Sequence, residues 1–355
     1  MNLAALQDAL NKEFQTPMSD FVVRYNPMLA GLTKRALATD RIWLRHKTAS
    51  SHNPQVIADG SDVTVGTPGS SYKAGVLDWN TYIAEFSLPK RLLAQVIDNP
   101  QMIGQLFYTE IQDAAADLAD KIAADVYSSD GTTGLTGLAA IFDNANTYAG
   151  INRATSGNEY WQGIVIDAAA AALGTGTFYD AELEFFARNA YELFSPRTSP
   201  TGFTSKAVQV IYKELFESIS YDALGSAHFV NQANSGNSFG KSGVGFNGMP
   251  LLADPNCKRI TSGTADTANT DRLYMVDTSK VFLAHLTPND DPEVIRMQQL
   301  DPSKAEATDG ISVQIEILGN KGESVQGYVK TYNQLVCMEP RRAGVLVKNV
   351  SNVRT

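Results

Sequence analysis

The chain has 355 residues, of which 43% are apolar and 19% are charged, and its formal net charge is −9. This composition is typical of a globular protein of two or three domains, and the acidic balance argues against a protein that grips nucleic-acid backbone. No uncharged apolar run approaches the length that a bilayer requires, and the first residues show no signal peptide.

The first fifty residues are predicted to form an arm. Leucines at helical spacing in residues 1–14 predict one short amphipathic helix, and residues 24–47 mix apolar residues with lysines and arginines. Such a segment is either solvated or packed on a neighbouring subunit.

The region 50–89 predicts a long β-hairpin with little core of its own. Residues 62–65 alternate, residues 67–71 form a turn, and a second alternating run places Tyr82, Ala84, Phe86 and Leu88 on one face. Because an isolated hairpin is marginally stable in water, this one is expected to lie on another subunit.

The clearest helix begins at Asn99 and Pro100, a favourable N-cap followed by proline at the first helical position. It is predicted to run to about Ser128, roughly 40 Å. Its apolar stripe comprises Ile103, Phe107, Ile111, Ala115, Leu118, Ile122 and Val126. A helix of this length is expected to be a structural spine.

The rest of the chain alternates between irregular, helical and strand-like stretches, which together predict an α+β fold. The predicted segments are an irregular stretch at 141–162, helices at 180–194 and 205–219, glycine-rich strands at 236–258, a strand and turn at 273–284, and an alternating strand at 311–318 that turns at 319–322 and returns at 328–338.

One glycine motif matches the dinucleotide fingerprint. Gly243–Gly248 reads G-x-G-x-x-G, but that fingerprint requires a helix to begin at the glycines, and here Met249–Leu252 follows as a strand-like run with a proline. The pattern favours a hairpin turn that leads into a buried strand. A nicotinamide-dependent enzyme built on this motif is kept as an alternative.

Few residues are candidates for other chemistry. Cys257 and Cys337 are interpreted first as buried or half-buried free thiols. Cys337 lies in an apolar run, so Cys257, which follows a loop, is the better candidate if either is a nucleophile. The carboxylates Asp290, Asp291 and Glu293 are either a cation site or, without the required loop spacing, a helix start. The sequence therefore predicts no enzyme, no catalytic residues, no metal site and no cofactor.

Four segments in order resemble the major capsid proteins of tailed bacteriophages. The segments are Thr147–Thr155 with Tyr160–Trp161 ("Y-x-G-I-x-R" and a tryptophan), Phe246–Leu251 with Asp254–Pro255, Leu273–Thr278, and Tyr332–Val347. The resemblance spans nearly the whole chain and rests on the order and spacing of motifs that are individually weak.

This resemblance implies the Hong Kong 97 capsid fold with four regions. Residues 1–50 would be an N-terminal arm and 51–89 an extended β-hairpin loop that reaches over the adjacent subunit. Residues 90–171 and 311–355 would form a peripheral domain with the spine helix, and 172–310 an axial domain.

The implied function is structural. The chain would assemble through pentamers and hexamers into an icosahedral phage head around double-stranded DNA, which it would enclose without sequence-specific binding. Portal, scaffolding and possibly cement proteins would be partners, no membrane would be involved, and the shell would assemble in the cytoplasm of a bacterial host and become part of the virion. An encapsulin-like compartment is the alternative within the fold.

Some members of this fold cross-link a lysine of the extended loop to an asparagine of a neighbour with the help of a glutamate. Lys73, at the predicted loop tip, could take the first of these parts. Salt-bridging or solvation is the simpler interpretation of this lysine.

Overall fold

The computed structural model describes residues 26–50, 70–95, 100–128, 131–170, 172, 201–212, 244–246, 249–261, 266–287, 291–308 and 310–353. The predicted helices at 1–14 and 180–194 and the predicted strand at 62–65 lie outside these ranges. Of the predicted helix at 205–219, the described part is helical from 206 to 212.

Helices and runs of strands follow one another along the described chain. In chain order they are α1 (Pro27–Gly31), β1 (Thr33–Leu37), β2 (Ile42–Ser50), β3 (Ser70–Leu77), β4 (Asn80–Pro89), α2 (Lys90–Gln95), α3 (Pro100–Ser128), α4 (Leu138–Ile141), β5 (Thr147–Tyr148), β6 (Ile151–Asn152), β7 (Ile164–Asp167), β8 (Thr201–Thr204), α5 (206–212), β9 (Val244–Phe246), β10 (Met249–Ala253), β11 (Thr270–Val276), β12 (Val281–Leu286), α6 (Pro292–Leu300), β13 (Ala307–Thr308), β14 (Gln314–Lys321), β15 (Ser324–Cys337), α7 (Pro340–Ala343) and β16 (Gly344–Ser351).

The predicted spine helix is confirmed as α3, which has 29 residues and begins at Pro100. Its described stripe residues, from Phe107 to Val126, are buried. They pack on β4 and β15, where Tyr82, Phe86 and Leu88 of β4 are buried as the alternation predicted. The apolar face of a helix, with a period of 3.6 residues, thus packs on the apolar face of a strand, with a period of 2 residues.

The first six-stranded sheet has the order β13-β1-β12-β15-β14, with β4 paired to the other side of β15. Strand β4 runs antiparallel to β15 over ten registered pairs, from Asn80 opposite Asn333 to Pro89 opposite Ser324. Strand β1 lies parallel to β12. The predicted arm, loop and axial regions each contribute strands to this sheet, so they are not separate units within the subunit. The four-region division stays a prediction about contacts between subunits.

The second six-stranded sheet has the order β7-β16-β11-β8-β10-β9. Its smaller core includes Leu251, Leu273, Val345 and Tyr212. The terminal strand β16 is therefore central, between β7 and β11, and ties residues near the C-terminus to the middle of the chain.

The run 82–88 is a strand as predicted, and it pairs with β15; the predicted strand at 62–65 lies outside the described residues. Among the described strands, the two-stranded antiparallel pair of this region is β2 with β3, from Ile42 opposite Leu77 to Ser50 opposite Ser70. The aromatic face of β4 is covered by α3, so this strand is part of the core rather than of a free hairpin.

Two other local predictions are confirmed. Ile311, Val313, Ile315 and Ile317 are all buried. Strand β14 turns into β15 with Lys321 opposite Ser324, and Gly322 in the turn has a positive φ of 59°. Within the described residues, no helix combines the length and the apolar character needed to cross a membrane.

Candidate assembly surfaces

The "Y-x-G-I-x-R" segment folds into a buried node centred on Tyr148. The Tyr148 hydroxyl accepts a hydrogen bond from the Cys337 amide at 3.0 Å, at the end of β15. The indole N–H of Trp161 donates to the Tyr148 carbonyl at 3.1 Å, and the two rings stack with centroids 5.7 Å apart. The motif therefore joins an irregular segment to the first sheet.

Arg153 is the charged member of this node and is fully buried. Its guanidinium donates to the carbonyls of Ala140 at 2.9 Å and Ile141 at 2.7 Å, and also to that of Asp143. It lies over the Tyr148 ring, 5.1 Å from the centroid, and burial lowers its pKa to about 10. The side chain satisfies carbonyls at the end of α4 that have no helical partner.

The β2–β3 hairpin is anchored on this node by a close backbone contact. The Val76 amide donates to the Ala149 carbonyl at 2.9 Å. A Cβ placed on Gly75 would lie 2.8 Å from the Ala149 Cβ, so position 75 tolerates only glycine without a shift of the chain. Ile42 and Leu44 of β2 are buried below the hairpin.

The opposite face of the hairpin is exposed, basic and aromatic. Trp43 and Arg45 of β2 and Arg41, just before the strand, alternate with the buried residues and are exposed, Trp43 by 36%. Arg41 also forms an exposed ion pair with Asp78 at 3.1 Å. Exposed tryptophan and arginine side chains on such a strand are typical of protein interfaces.

Lys73 lies within β3, opposite His46, and not at a loop tip as predicted. Its Nζ donates to Asn158 Oδ1 of its own chain at 2.5 Å. The Asn158 amide nitrogen in turn donates to the Asn152 carbonyl at 2.6 Å. The lysine is thus hydrogen-bonded to a neutral amide, and covalent cross-linking remains untested.

The spine helix presents an acidic stripe on its solvent side. Asp113, Asp117 and Asp120 are exposed, Glu110 is half-buried, and their spacing of three and four residues places them on one helix face. Lys121, beside this stripe, pairs with Asp125 at 2.8 Å.

Buried hydrogen bonds hold both sides of the spine helix. Tyr82 of β4 donates to Asp125 at 2.9 Å and accepts from the Leu135 amide at 2.8 Å, and burial raises the pKa of Tyr82. At the helix end, Tyr127 donates to Asp254 at 2.9 Å, next to the second sheet. Sequence analysis missed these partners; the one local signal is that Asp125 interrupts the buried run between Ile122 and Val126.

Several large apolar side chains are exposed elsewhere. The most exposed are Leu318 at 61%, Met297 at 58% and Ile83 at 55%. Ile83 lies on the face of β4 that points away from α3. Single exposed apolar residues are common on protein surfaces, so these three do not by themselves define an interface.

The candidate nucleophile Cys257 is fully buried and its thiol contacts the carbonyls of Phe203 and Arg272. Burial raises the pKa of Cys257 well above its usual value and that of Cys337 to about 12. Both cysteines are thus buried free thiols, as first interpreted, and burial disfavours the thiolate that the alternative of a Cys257 nucleophile requires.

The other two chemical candidates have structural explanations. Strands β9 and β10 pair antiparallel with Met249 opposite Phe246, so the glycine motif leads into a strand as predicted and no helix begins there. Asp291 caps α6 by accepting from the Glu293 amide at 2.9 Å, which confirms the helix-start interpretation; Asp290 lies outside the described residues. The described residues contain no cluster of three or more potential metal ligands.

No family model and no curated protein matches the sequence. Solved structures do match. The capsid asymmetric unit of cyanophage A-1(L) is 15% identical with a TM-score of 0.62, and the match covers 92% of this chain and 93% of that one. The capsid of Myoviridae phage XM1 is 13% identical with a TM-score of 0.52, covering 91% of each chain.

A third match is the holo-SrpI encapsulin complex from Synechococcus elongatus PCC 7942, 12% identical with a TM-score of 0.52 over 94% of this chain and 89% of that one. These matches confirm the α+β Hong Kong 97-like fold and the resemblance to phage major capsid proteins that the sequence motifs indicated.

Proposed function

We propose that this chain, which has the fold of phage major capsid proteins, is itself a major capsid protein. It assembles through pentamers and hexamers into an icosahedral head that encloses double-stranded DNA, and its place is in the virion. The observation that carries the proposal is the structural match along nearly the whole chain to the capsid of cyanophage A-1(L). The match favours a structural role over catalysis.

The described surfaces support contacts between copies of the chain. The basic face of the β2–β3 hairpin (Arg41, Trp43 and Arg45) and the acidic stripe of α3 have opposite charge. Neither surface is covered by the other within the chain, since β2 has its main contacts with β3, α6 and the short helix at Pro302–Lys304. Opposite charges on separate copies favour encounter in one orientation.

The regional organisation follows from the same proposal. Residues 1–50 act as an arm and 51–89 as the loop that reaches a neighbour, of which the last part, β4, is held in the first sheet. Residues 90–171 with 311–355 act as the peripheral domain, and 172–310 as the axial domain. The acidic stripe is consistent with a shell that does not bind DNA tightly, because tight binding of the DNA backbone requires a basic surface.

The first experiment examines assembly directly. Purified protein is imaged by negative stain and sized by analytical ultracentrifugation over a range of salt concentrations and crowding agents. We expect closed particles or pentameric and hexameric units. A protein that stays monomeric under every condition, with its hairpin protected from protease, would refute the proposal.

A charge reversal then examines the hairpin. Arg45→Glu is expected to reduce the particle yield at least tenfold while circular dichroism of the unassembled subunit is unchanged, because one interface charge is repeated in every subunit contact. The matched control is Lys258→Glu, which reverses an exposed charge outside the hairpin. Equal particle yields from Arg45→Glu and wild type would show that this face of the hairpin is not part of the subunit interface.

An encapsulin-like compartment is the second candidate, favoured by the match to the SrpI encapsulin complex. The two candidates differ in content. Particles isolated from the native source are treated with nuclease and analysed by absorbance and mass spectrometry. Nuclease-resistant DNA of uniform length supports a phage head, whereas a single co-purified protein without DNA supports a compartment.

A further inference from the structure

Strand β4 forms one lateral edge of the first sheet. Among the described strands it pairs only with β15, so the backbone N–H and C=O groups on its other side have no strand partner there. The exposure of the side chains agrees with this position. Thr81, Ile83, Glu85 and Ser87 are exposed, whereas the residues of β15 directly opposite them are half-buried.

Proteins usually protect edge strands by making them short, bulged or charged, because an open edge attracts other strands. The other edges of the two six-stranded sheets have such protection. Strand β13 has two residues, β9 three and β7 four. Strand β14 has eight residues but carries a bulge between Ile317 and Gly319, and Gly319 has a positive φ of 96°.

The remaining free edges are protected by side chains. Where β1 runs past its pairing with β13, Gln298 of α6 accepts from the Ala38 amide at 2.9 Å and donates to the Ala36 carbonyl at 3.3 Å. In the β2–β3 hairpin the register is interrupted by a bulge next to Lys47, and β3 carries Lys73. Bulges and lysines are two of the common devices that keep an edge from pairing.

Strand β4 has none of these devices. Its ten residues, Asn80–Pro89, pair with β15 without a break in register, include no glycine or lysine, and place proline only at the last position. Glu85 is its single charged residue, and Ile83 is 55% exposed. Among the described strands, β4 is therefore the one long and regular edge that is open to an added strand.

A strand that pairs with this edge must itself have a free edge. Because β4 is the one long edge of this kind among the described strands, the partner that fits it is β4 of a second copy, related by a two-fold axis. We propose that two copies of the chain pair through β4 in this way. The pair is antiparallel and joins the first sheets of the two copies into one continuous sheet.

Charge and length select the register of the pair. Like charges directly opposite each other destabilise a cross-strand pair, which excludes a two-fold axis at Glu85. An axis at Ala84 avoids this clash, keeps Asn80 to Leu88 paired, and leaves Pro89, which has no amide hydrogen, outside. Each Ile83 then lies opposite Glu85 of the partner subunit.

This contact deepens the proposed function, and its place in a shell rests on that proposal. Head-to-tail contacts close rings such as pentamers and hexamers, whereas a two-fold contact uses the same patch on both copies. The β4 pair therefore joins one ring to the next. It is separate from the contact between the hairpin face and the acidic stripe, which involves two different patches.

Disulfide trapping tests the register. Both native cysteines are buried, so cysteines introduced on β4 supply the reactive thiols. Oxidation of mixed Ile83→Cys and Glu85→Cys subunits should give about tenfold more disulfide-linked dimer than either variant alone, because opposite positions lie within bonding distance and diagonal positions do not. A mixture of Leu318→Cys and Glu85→Cys is the control. Equal yields from all these samples would overturn the β4 pair.

A charge at position 83 tests the same contact without cross-linking. Ile83→Glu places a second carboxylate opposite Glu85 of the partner subunit and should weaken association about tenfold relative to Ile83→Gln. Leu318→Glu, at a similarly exposed position of β14, should associate like wild type. Equal association of Ile83→Glu and Ile83→Gln would contradict the register centred on Ala84.

Hydrogen exchange of the wild-type protein, with sedimentation of the same samples, separates this contact from the capsid proposal. On association, amides of 80–88 should exchange about tenfold more slowly, whereas those of 314–321 in β14 should change less than about twofold. Particles without added protection of 80–88 would overturn the β4 pair and leave the capsid proposal standing. Dimers with this protection but no particles would do the reverse.

Two further outcomes of the exchange experiment are decisive. A chain that stays monomeric at every concentration would overturn both proposals. Full protection of 80–88 in the free subunit would show that another segment of the same chain covers the edge, and this would overturn the β4 pair alone.

Discussion

Replacing Arg153 by methionine tests the buried node that connects the capsid-like motif to the sheet. Methionine keeps an apolar stem of comparable length and removes the guanidinium. The three carbonyls of residues 140, 141 and 143 then lose their donor inside the protein. The Tyr148 ring also loses its cation contact.

The expected loss follows from the contacts. An unsatisfied buried carbonyl costs about 1–3 kcal/mol, so three of them set an upper range that partial hydration reduces. The guanidinium itself is costly to bury, as the lowered pKa of Arg153 indicates, and its Nε has no partner among the described residues. We therefore expect Arg153→Met to reduce the free energy of unfolding by about 3–5 kcal/mol.

Urea unfolding of the unassembled subunit, followed by tryptophan fluorescence, measures this loss, and Trp161 in the node contributes to the signal together with Trp43 and Trp79. Arg153→Lys keeps the charge and one donor group and should lose about half as much. Arg91→Met, at an exposed position on α2, is the matched control and should change stability by less than about 0.5 kcal/mol. If Arg153→Met lies within about 1 kcal/mol of wild type, the node does not carry the stability assigned to it.

Three further changes test separate parts of the fold. Gly75→Val should destabilise the hairpin root by about 1–3 kcal/mol and increase its protease sensitivity, whereas Gly31→Ala, whose new Cβ would lie 3.8 Å from its nearest neighbour, should be neutral; equal effects would contradict the close approach at the hairpin. Tyr82→Phe should cost about 1–3 kcal/mol in urea unfolding, since it leaves the buried Leu135 amide unpaired and removes one of the two partners of the Asp125 carboxylate, and an unchanged midpoint would show that water replaces the hydroxyl. Cys257 and Cys337 should both resist a thiol reagent at pH 8 in the native protein and react after unfolding; rapid native labelling of either would contradict its burial.

Local periodicity was sufficient for the longest elements. The stripe from Phe107 to Val126 lies on one buried helix face. The alternation of Ile311 to Ile317 correctly predicts one buried side, although β14 begins only at Gln314. The prolines and glycines then marked boundaries, as at Pro100 and at the turn containing Gly322. Such signals act over a few residues and are therefore visible in a single sequence.

Strand partners were not visible in this way. The run 82–88 alternates equally well in a hairpin and in a sheet, and the choice of β15, more than two hundred residues away, depends on the cover that α3 provides. The same holds for Lys73, whose contact with Asn158 arises from two segments brought together by the node. Chain entropy makes distant pairings costly, so only the complete core decides which of them form.

The ordered motifs were enough to predict an α+β fold like that of phage major capsid proteins. The tertiary structure decided what the polar residues do. Arg153 is buried and hydrogen-bonded to three backbone carbonyls, and Cys257 is a buried thiol. Sequence fixes which groups are present, but their hydration and hydrogen-bond partners, which set their protonation, depend on residues distant in the chain.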